Sequence, residues 1–324
     1  GLHQLTNTSK LLTRKTGLCQ ITCNATSNIP VRFAMQLSSK VVVITGAARG
    51  LGRAYAVAMA SEGASVLACD INDCSETVAE VRAAGGRIES AVTDVFDMKS
   101  CQAMADVAVA AFGKIDVLVN NAGFGLLSAV EEASSNEIKA NYEANVFGLL
   151  NVTRAVLPFM RKERKGHIIN LSSVGGLVGI TGWGLYGSTK FAVEGITEAL
   201  SKELAPLGIY VTAVAPGFFR TDFLDQSSLV RSANSIEDYA ETVGYMRNYA
   251  TQMNQKQPGS SVKLAQAVLQ IADSEKPPLH LPLGKDALQF FKEKMDRFNE
   301  DVEAWYDVII GTDHEEVVAD YIND

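Results

Sequence analysis

The strongest constraint on this chain is Val41-Val-Val-Ile-Thr45, five residues with no polar alternation, running straight into Gly46-Ala-Ala-Arg-Gly-Leu-Gly52. A strand with one face in water alternates apolar and polar residues, whereas an unbroken β-branched run reads as a strand covered on both faces. Such strands lie in parallel sheets, where each is followed by a crossover, usually a helix. The rest of the chain supplies that alternation. Strands are predicted at 41–45, 65–70, 87–92, 115–119, 167–171 and 209–214, and helices at 51–62, 75–84, 99–112, 136–160 and 185–207. Ser134, with Glu137 three residues on, is a capping-box signature for the fourth helix. Helical patterns follow at 237–257, 262–273 and 288–310. The expected fold is α/β, a doubly wound parallel sheet in one domain over 35–284, with a leader at 1–34 and an acidic helical extension at 285–324.

Composition closes off other classes. Of 324 residues, 47% are hydrophobic and 20% charged, a balance that excludes collagen-like and charge-driven disordered chains. No uncharged apolar run approaches the roughly 18 residues of a membrane span. A net charge of −8 argues against nucleic acid as a partner, because phosphates call for clustered Lys and Arg. The charge is unevenly spread. Lys10, Arg14, Lys15 and Arg32 stand without an acid in the first 34 residues, whereas Phe298 to Asp324 holds nine acids and no Lys or Arg. The basic leader reads as sequence outside the native enzyme, with Met35 a natural start, or as organelle targeting. The acidic end reads as a solvated helix and tail. Five cysteines, an odd number, at 19, 23, 69, 74 and 101 and four scattered histidines fit free thiols in the cytoplasm and no metal site.

The chemistry begins at the first turn. Gly46, Ala48, Arg49, Gly50, Leu51 and Gly52 lie between a strand and a helix, where glycines let the backbone approach a pyrophosphate at the helix N-terminus. Asp70 ends the next strand, 18 residues beyond Gly52, near the offset at which a carboxylate meets a dinucleotide's ribose 2′-OH. A helix cap in an ordinary loop is the plainer alternative. Tyr186 and Lys190 stand i and i+4 on a predicted helix and so face the same way. An ammonium there would lower the phenol's pKa from about 10. Tyr186 could then exchange a proton with a substrate oxygen that Ser173 hydrogen-bonds.

The spacing Gly-x-x-x-Gly-x-Gly resembles that of the short-chain dehydrogenase/reductase family. Further motifs carry the resemblance from about residue 39 to 221: Asn120-Asn121-Ala122-Gly123, Asn145 in Asn-Val-Phe-Gly, Ser173 thirteen residues before Tyr186, Tyr186-Gly-Ser-Thr-Lys190, and Pro216-Gly217-Phe-Phe219-Arg-Thr221. The resemblance implies a Rossmann-type oxidoreductase with Asn145, Ser173, Tyr186 and Lys190 as catalytic residues. It implies cofactor contacts at the glycine turn, Asp70, Asp94, Val95, Asn121, Ala122, Gly123, Tyr186, Lys190, Pro216, Gly217, Phe219 and Thr221. Asp94 reads alternatively as a turn residue. Lys190 would also hold the nicotinamide ribose, and Asn145 a water of the proton relay. Asp70 favours NAD, since it would repel the 2′-phosphate of NADP, while Arg49 is the opposing signal that keeps NADP open. A weaker likeness to the hydroxysteroid-dehydrogenase-like branch lies in 216–223 and 277–284.

Leu177, Val178, Ile180, Trp183, Phe219, Phe223 and Leu224 suit a pocket for a small hydrophobic alcohol or ketone, or internal packing. A cofactor-binding sensor or scaffold without turnover, and a lyase or epimerase on the same scaffold, are the competing classes. The helices at 136–160 and 185–207, with Leu149, Leu150, Val152, Phe191, Val193 and Ile196, resemble the pair through which family members dimerise, so a homodimer is expected.

Overall fold

The computed structural model describes residues 37–314. The leader expected at 1–34 and the last part of the acidic tail lie outside the described residues. In chain order the elements are β1 (Val41–Thr45), α1 (Gly50–Ser61), β2 (Ser65–Asp70), α2 (Ser75–Ala83), β3 (Arg87–Val92), α3 (Met98–Phe112), β4 (Val117–Asn120), β5 (Gly125–Leu127), α4 (Ser135–Tyr142), α5 (Gly148–Glu163), β6 (Gly166–Leu171) and α6 (Gly184–Leu204). They continue with β7 (Ile209–Pro216), β8 (Phe219–Arg220), β9 (Leu229–Arg231), α7 (Tyr245–Met253), β10 (Gly259–Ser260), α8 (Ser261–Asp273), β11 (His280–Leu283), α9 (Lys285–Ala304) and α10 (Tyr306–Ile310).

Seven strands form one parallel sheet in the order β11-β7-β6-β4-β1-β2-β3. Every residue of β1, β4 and β6 is buried, as expected where helices cover both faces. On one face Tyr55 and Met59 of α1 meet Leu264 and Val268 of α8. On the other, Cys101 and Met104 of α3 meet Val152, Val156 and Met160 of α5. The chain builds outward from β1 to β3 and then returns to β4, which pairs with the other side of β1. At that reversal the crossovers leave on opposite faces, and a crevice opens beyond the strand C-termini. The glycine turn after β1 and the Asn120–Gly123 loop after β4 thus meet at one place.

Three predicted elements differ. The helix expected over 136–160 is α4 and α5 joined by a wide π-turn at Glu143–Phe147, in which the Gly148 N–H donates to the Glu143 carbonyl. Its start is the expected capping box: the Glu137 N–H donates to Ser134 Oγ at 3.3 Å, and the Ser134 N–H to Glu137 Oε2 at 2.7 Å. The helix expected over 237–257 shrinks to Tyr245–Met253, with a short turn at Glu237–Tyr239 and a π-turn at Ala240–Gly244 before it. A seventh strand, β11, pairs with β7 at the sheet edge. Pro282 hides it in the sequence, since proline removes a ladder donor and is tolerated in strands chiefly at edges. The last predicted helix starts at Lys285 and is interrupted at Trp305. Among the described residues no helix is long and apolar enough to cross a membrane.

Candidate active site

A cavity of about 450 Å³ lies in the crevice. Its floor at one end is the glycine turn. Gly46 adopts φ +67°, and a Cβ at Gly52 would stand 2.0 Å from the Gly46 carbonyl oxygen, so α1 can start this close to β1 only with glycine there. Asn121 braces the turn from the β4 side: its Nδ2 donates to the Thr45 carbonyl at 2.9 Å and the Gly46 carbonyl at 3.1 Å. The backbone N–H groups of Asn121 and Ala122 both donate to Thr45 Oγ1.

Asp70 leaves the end of β2 at the cavity wall. Its carboxylate accepts from the Ala48 N–H at 3.1 Å and from the Asn72 N–H at 2.9 Å. Arg49 does not stand free beside it. The Arg49 guanidinium donates to the Ser227 carbonyl, bridging the mouth of the cavity. The Asp94 carboxylate accepts from the Phe96 N–H at 2.9 Å, making a turn, and Asp94 lines the cavity with Val95.

At the other end Ser173, Tyr186 and Lys190 share one wall. The Ser173 hydroxyl, which lowers the Tyr186 phenol's pKa, accepts from the Gly175 N–H at 3.1 Å. Lys190 Nζ donates to the Leu171 carbonyl at 2.6 Å and lies 5.7 Å from the Tyr186 ring centroid. Burial pushes the Tyr186 phenol well above its ordinary value, against the pull of Ser173. Burial also pushes the Lys190 ammonium down to about 8, opposed by Glu194 one turn along α6. For the phenol, desolvation outweighs the pull of Ser173.

Asn145, Ala48 and Gly52 do not line the cavity itself. Asn145 sits in the π-turn, buried, as a clamp. Its Oδ1 accepts from the Phe124 N–H at 3.0 Å, while its Nδ2 donates to the Phe124 carbonyl and to Thr189 Oγ1, each at 3.0 Å. It thereby fixes the loop whose Gly123 underlies the lysine: a Cβ there would lie 2.5 Å from Asn145 Oδ1 and 4.0 Å from Lys190 Nζ.

Of the apolar candidates, Ile180, Trp183, Phe219, Phe223 and Leu224 line the cavity, whereas Leu177 and Val178 pack with Val174 against Ala287 of α9. Trp183 stacks on Phe223 with centroids 6.2 Å apart, and Phe223 lies 5.5 Å from the Tyr186 ring. A second cavity of about 300 Å³ shares Trp183, Phe218, Leu224 and Gln257 with the first and continues along Met246, Ala250 and Met253. Sequence reasoning missed Phe124, Ser227 and Gln257 in the wall; each arrives through tertiary packing, and no motif marks them. Among the described residues no cluster of three metal-ligating side chains occurs.

Residues 40–231, more than half of the chain, match the sequence profile of the short chain dehydrogenase family. The chain is a short-chain dehydrogenase. It is 34% identical over 249 residues to a 3-ketodihydrosphingosine reductase of Bacteroides thetaiotaomicron, covering 76% of this chain and 89% of that one. It is 39% identical over 194 residues to the 3-oxoacyl-[acyl-carrier-protein] reductase FabG of Thermotoga maritima, covering 59% and 79%. Among solved structures, a short-chain dehydrogenase from Streptomyces avermitilis superposes with a TM-score of 0.78 at 38% identity, over 86% of this dehydrogenase and 100% of that chain. One from Burkholderia phymatum, solved in complex with NAD, gives 0.74 at 26% identity, over 82% and 96%.

Proposed function

We propose that this short-chain dehydrogenase interconverts a hydrophobic secondary alcohol and its ketone, using NAD. One observation carries the reading. The Ser173 hydroxyl, Tyr186 phenol and Lys190 ammonium line the same cavity as a glycine turn and the Asp70 carboxylate.

The cleft suits a nicotinamide dinucleotide. Gly52 leaves no room for a side chain between α1 and β1, the arrangement that lets phosphates reach a helix N-terminus. Gly46, Arg49, Gly50 and Leu51 would hold the pyrophosphate from the cavity side, and Asp70 the adenosine ribose. Asp94 and Val95 would flank the adenine, and Asn121, Ala122 and Gly123 the middle of the dinucleotide. Pro216, Gly217, Phe219 and Thr221 would lie along the nicotinamide. Arg53 is paired with Glu76 at 2.6 Å and so is not a free counter-charge for a 2′-phosphate, which with Asp70 favours NAD; Arg49, bonded to the neutral Ser227 carbonyl, keeps its charge as the opposing signal. The bound nicotinamide would supply the hydride chemistry.

The chain's own residues do the rest. Tyr186 Oη holds a proton for the substrate oxygen in the reductive direction and receives it in the oxidative one. Ser173 Oγ, on the same cavity wall, would steady the same oxygen as charge develops on it. Lys190, cationic below about pH 8, would hold the ribose hydroxyls and favour a phenolate when one forms. Asn145 acts through the loop it clamps, as a positioning residue. Trp183, Phe223, Leu224 and Ile180 exclude water and favour an apolar substrate. The reading includes a homodimer, in a reducing cytoplasm where the buried free thiols of Cys69, Cys74 and Cys101 persist.

The test is a panel of secondary alcohols with NAD and of ketones with its reduced form, followed at the reduced-nicotinamide absorbance. Turnover of apolar members is expected. Cofactor binding with no turnover across the panel would refute the reading.

A further inference from the structure

The cleft has a second room. The cavity of about 300 Å³ is of a size at which small molecules bind, and Trp183, Phe218, Leu224 and Gln257 line both it and the first cavity. These four residues form the neck between the two. The neck opens beside the reacting groups, since the Trp183 ring centroid lies 5.9 Å from that of Tyr186. Beyond it the wall is Met246, Tyr249, Ala250 and Met253 of α7. Methionine side chains are unbranched and adapt to the shape of an apolar occupant. Of the two charged residues in that wall, Asp286 accepts from the Phe218 N–H at 2.6 Å and Lys256 is exposed, which leaves the interior to hydrocarbon.

Gln257 is the exception in the neck. It is 3% exposed, and its side-chain Oε1 is buried with no hydrogen-bond partner among the described residues. Buried polar atoms are nearly always paired, and one left unpaired is costly. The residue is held in place from several sides. Arg220 Nε donates to the Gln257 carbonyl at 3.4 Å, and the Gly259 N–H to the Phe218 carbonyl at 3.0 Å, where β10 pairs with β8. Just before it, Gln255 Nε2 donates to Asp222 Oδ1 at 2.8 Å and Asn254 Nδ2 to the Asp225 carboxylate. The segment carrying the amide is thus docked on the turn that carries Phe223 and Leu224, beside Tyr186.

A fixed, buried and unpaired amide between two apolar rooms specifies its ligand. The carbonyl of a ketone held at Tyr186 accepts hydrogen bonds and cannot donate to Oε1, so the donor has to be a second group on the same molecule. A hydroxyl suits it, because it donates to an amide oxygen and accepts from an amide N–H, and so pairs with either end of the side chain. What passes between the rings of Trp183 and Phe218 and the side chain of Leu224 is slender, a methylene chain rather than a fused ring system.

We propose that the two cavities are one substrate site, which takes a long-chain ketone or secondary alcohol whose chain runs through the neck and carries a hydroxyl there, paired with Gln257. The reacting end of that substrate rests on the function proposed above; the chain and its hydroxyl are new.

The test uses the full chain and two readouts: kcat/KM with reduced NAD, and affinity by titration calorimetry with oxidised NAD, where a ketone binds without being reduced. Along methyl ketones from butanone to tetradecan-2-one, each methylene that enters the second cavity should raise both by roughly three- to fourfold until the cavity is full. Moving a single hydroxyl along the longest ketone should give one position at least about tenfold better than the unsubstituted chain. Gln257→Met, which removes the amide at similar volume, should remove that preference. Ala250→Phe fills the second cavity and should cut the advantage of the long ketone over the short one at least about tenfold; Ala250→Leu is the milder variant if the first does not fold. A series flat in chain length overturns the proposal, as does the absence of a preferred hydroxyl position or a preference that survives Gln257→Met. Short ketones reduced with neither dependence would remove this site and keep the function proposed above. Long hydroxyketones bound with both dependences but never reduced would keep the site and remove that function.

Discussion

Replacing Asn145 by alanine separates its clamp from any direct part in chemistry. The side chain makes three hydrogen bonds, two to the Phe124 backbone and one to Thr189 Oγ1, all at 3.0 Å. Each contributes about 1 kcal/mol net, within a range of roughly 0.5–1.5. Two of the three partners stay satisfied in the variant. The Phe124 carbonyl still accepts from Asn141 Nδ2 at 2.8 Å, and Thr189 Oγ1 still donates to the Tyr186 carbonyl at 2.7 Å. Only the Phe124 N–H is left without a protein acceptor, and Phe124 is half-buried, so water can meet part of its need. The loss is therefore about 3 kcal/mol. Urea unfolding should show it as a lower midpoint with an unchanged slope. Asn145→Asp should lose nearly as much, because it keeps the acceptor for Phe124 N–H but faces two oxygens with a third. A loss below about 1 kcal/mol in the alanine variant would refute the clamp.

Tyr186→Phe should lower turnover by about 10²–10⁴-fold while cofactor affinity stays within about twofold, whereas Lys190→Ala should lose both. Because burial holds Lys190 near 8, its charge is complete well below that pH, and wild-type cofactor affinity should weaken as pH rises through about 8; titration calorimetry across that range checks it. Asp70→Ala should raise the ratio of kcat/KM for NADP over NAD by at least about tenfold, through removal of a like charge, and wild-type preference for NADP would overturn the assignment. Glu132 is buried: desolvation pushes its carboxyl up, but the N–H groups of Ile236 and Ala129 and the Arg247 guanidinium outweigh this and hold it below the ordinary 4.5. Its contribution is present above that value and lost as pH falls through the lower folded value. Glu132→Gln should cost about 3 kcal/mol at neutral pH, and unfolding curves should show the gap narrowing in acid.

What could be read from the sequence was what local spacing encodes. The glycine turn, Asp70 and the Tyr186–Lys190 pair are set by distances of a few residues along the chain, and the sheet by β-branched runs whose burial needs no partner to be inferred. Asn145 was legible as a position and illegible as a device, since the π-turn that aims it inward follows from packing on Phe124 and Thr189. Pro282 concealed an edge strand. The bond from Arg49 to the Ser227 carbonyl, 178 residues away, has no local signature. The second cavity has no motif at all, because its walls are gathered from Trp183 before α6, from α7 and the segments around it, and from Asp286 of α9.

The wide turn at Glu143–Phe147 makes its helix a counting device. A π-turn accommodates an extra residue that an α-helix would not. A chain one residue shorter here would close a regular helix with its backbone bonds satisfied, and by every local measure would look improved. Everything before the repair would then be rotated by about 100° relative to α5. Asn141 would swing away from the Phe124 carbonyl, and Tyr142 from Ser188 Oγ, which its hydroxyl meets at 2.9 Å. Regularity and phase are in conflict at this one joint, and the irregular count is what lets Asn141 and Tyr142 reach Phe124 and Ser188 while Val152 and Val156 pack against α3.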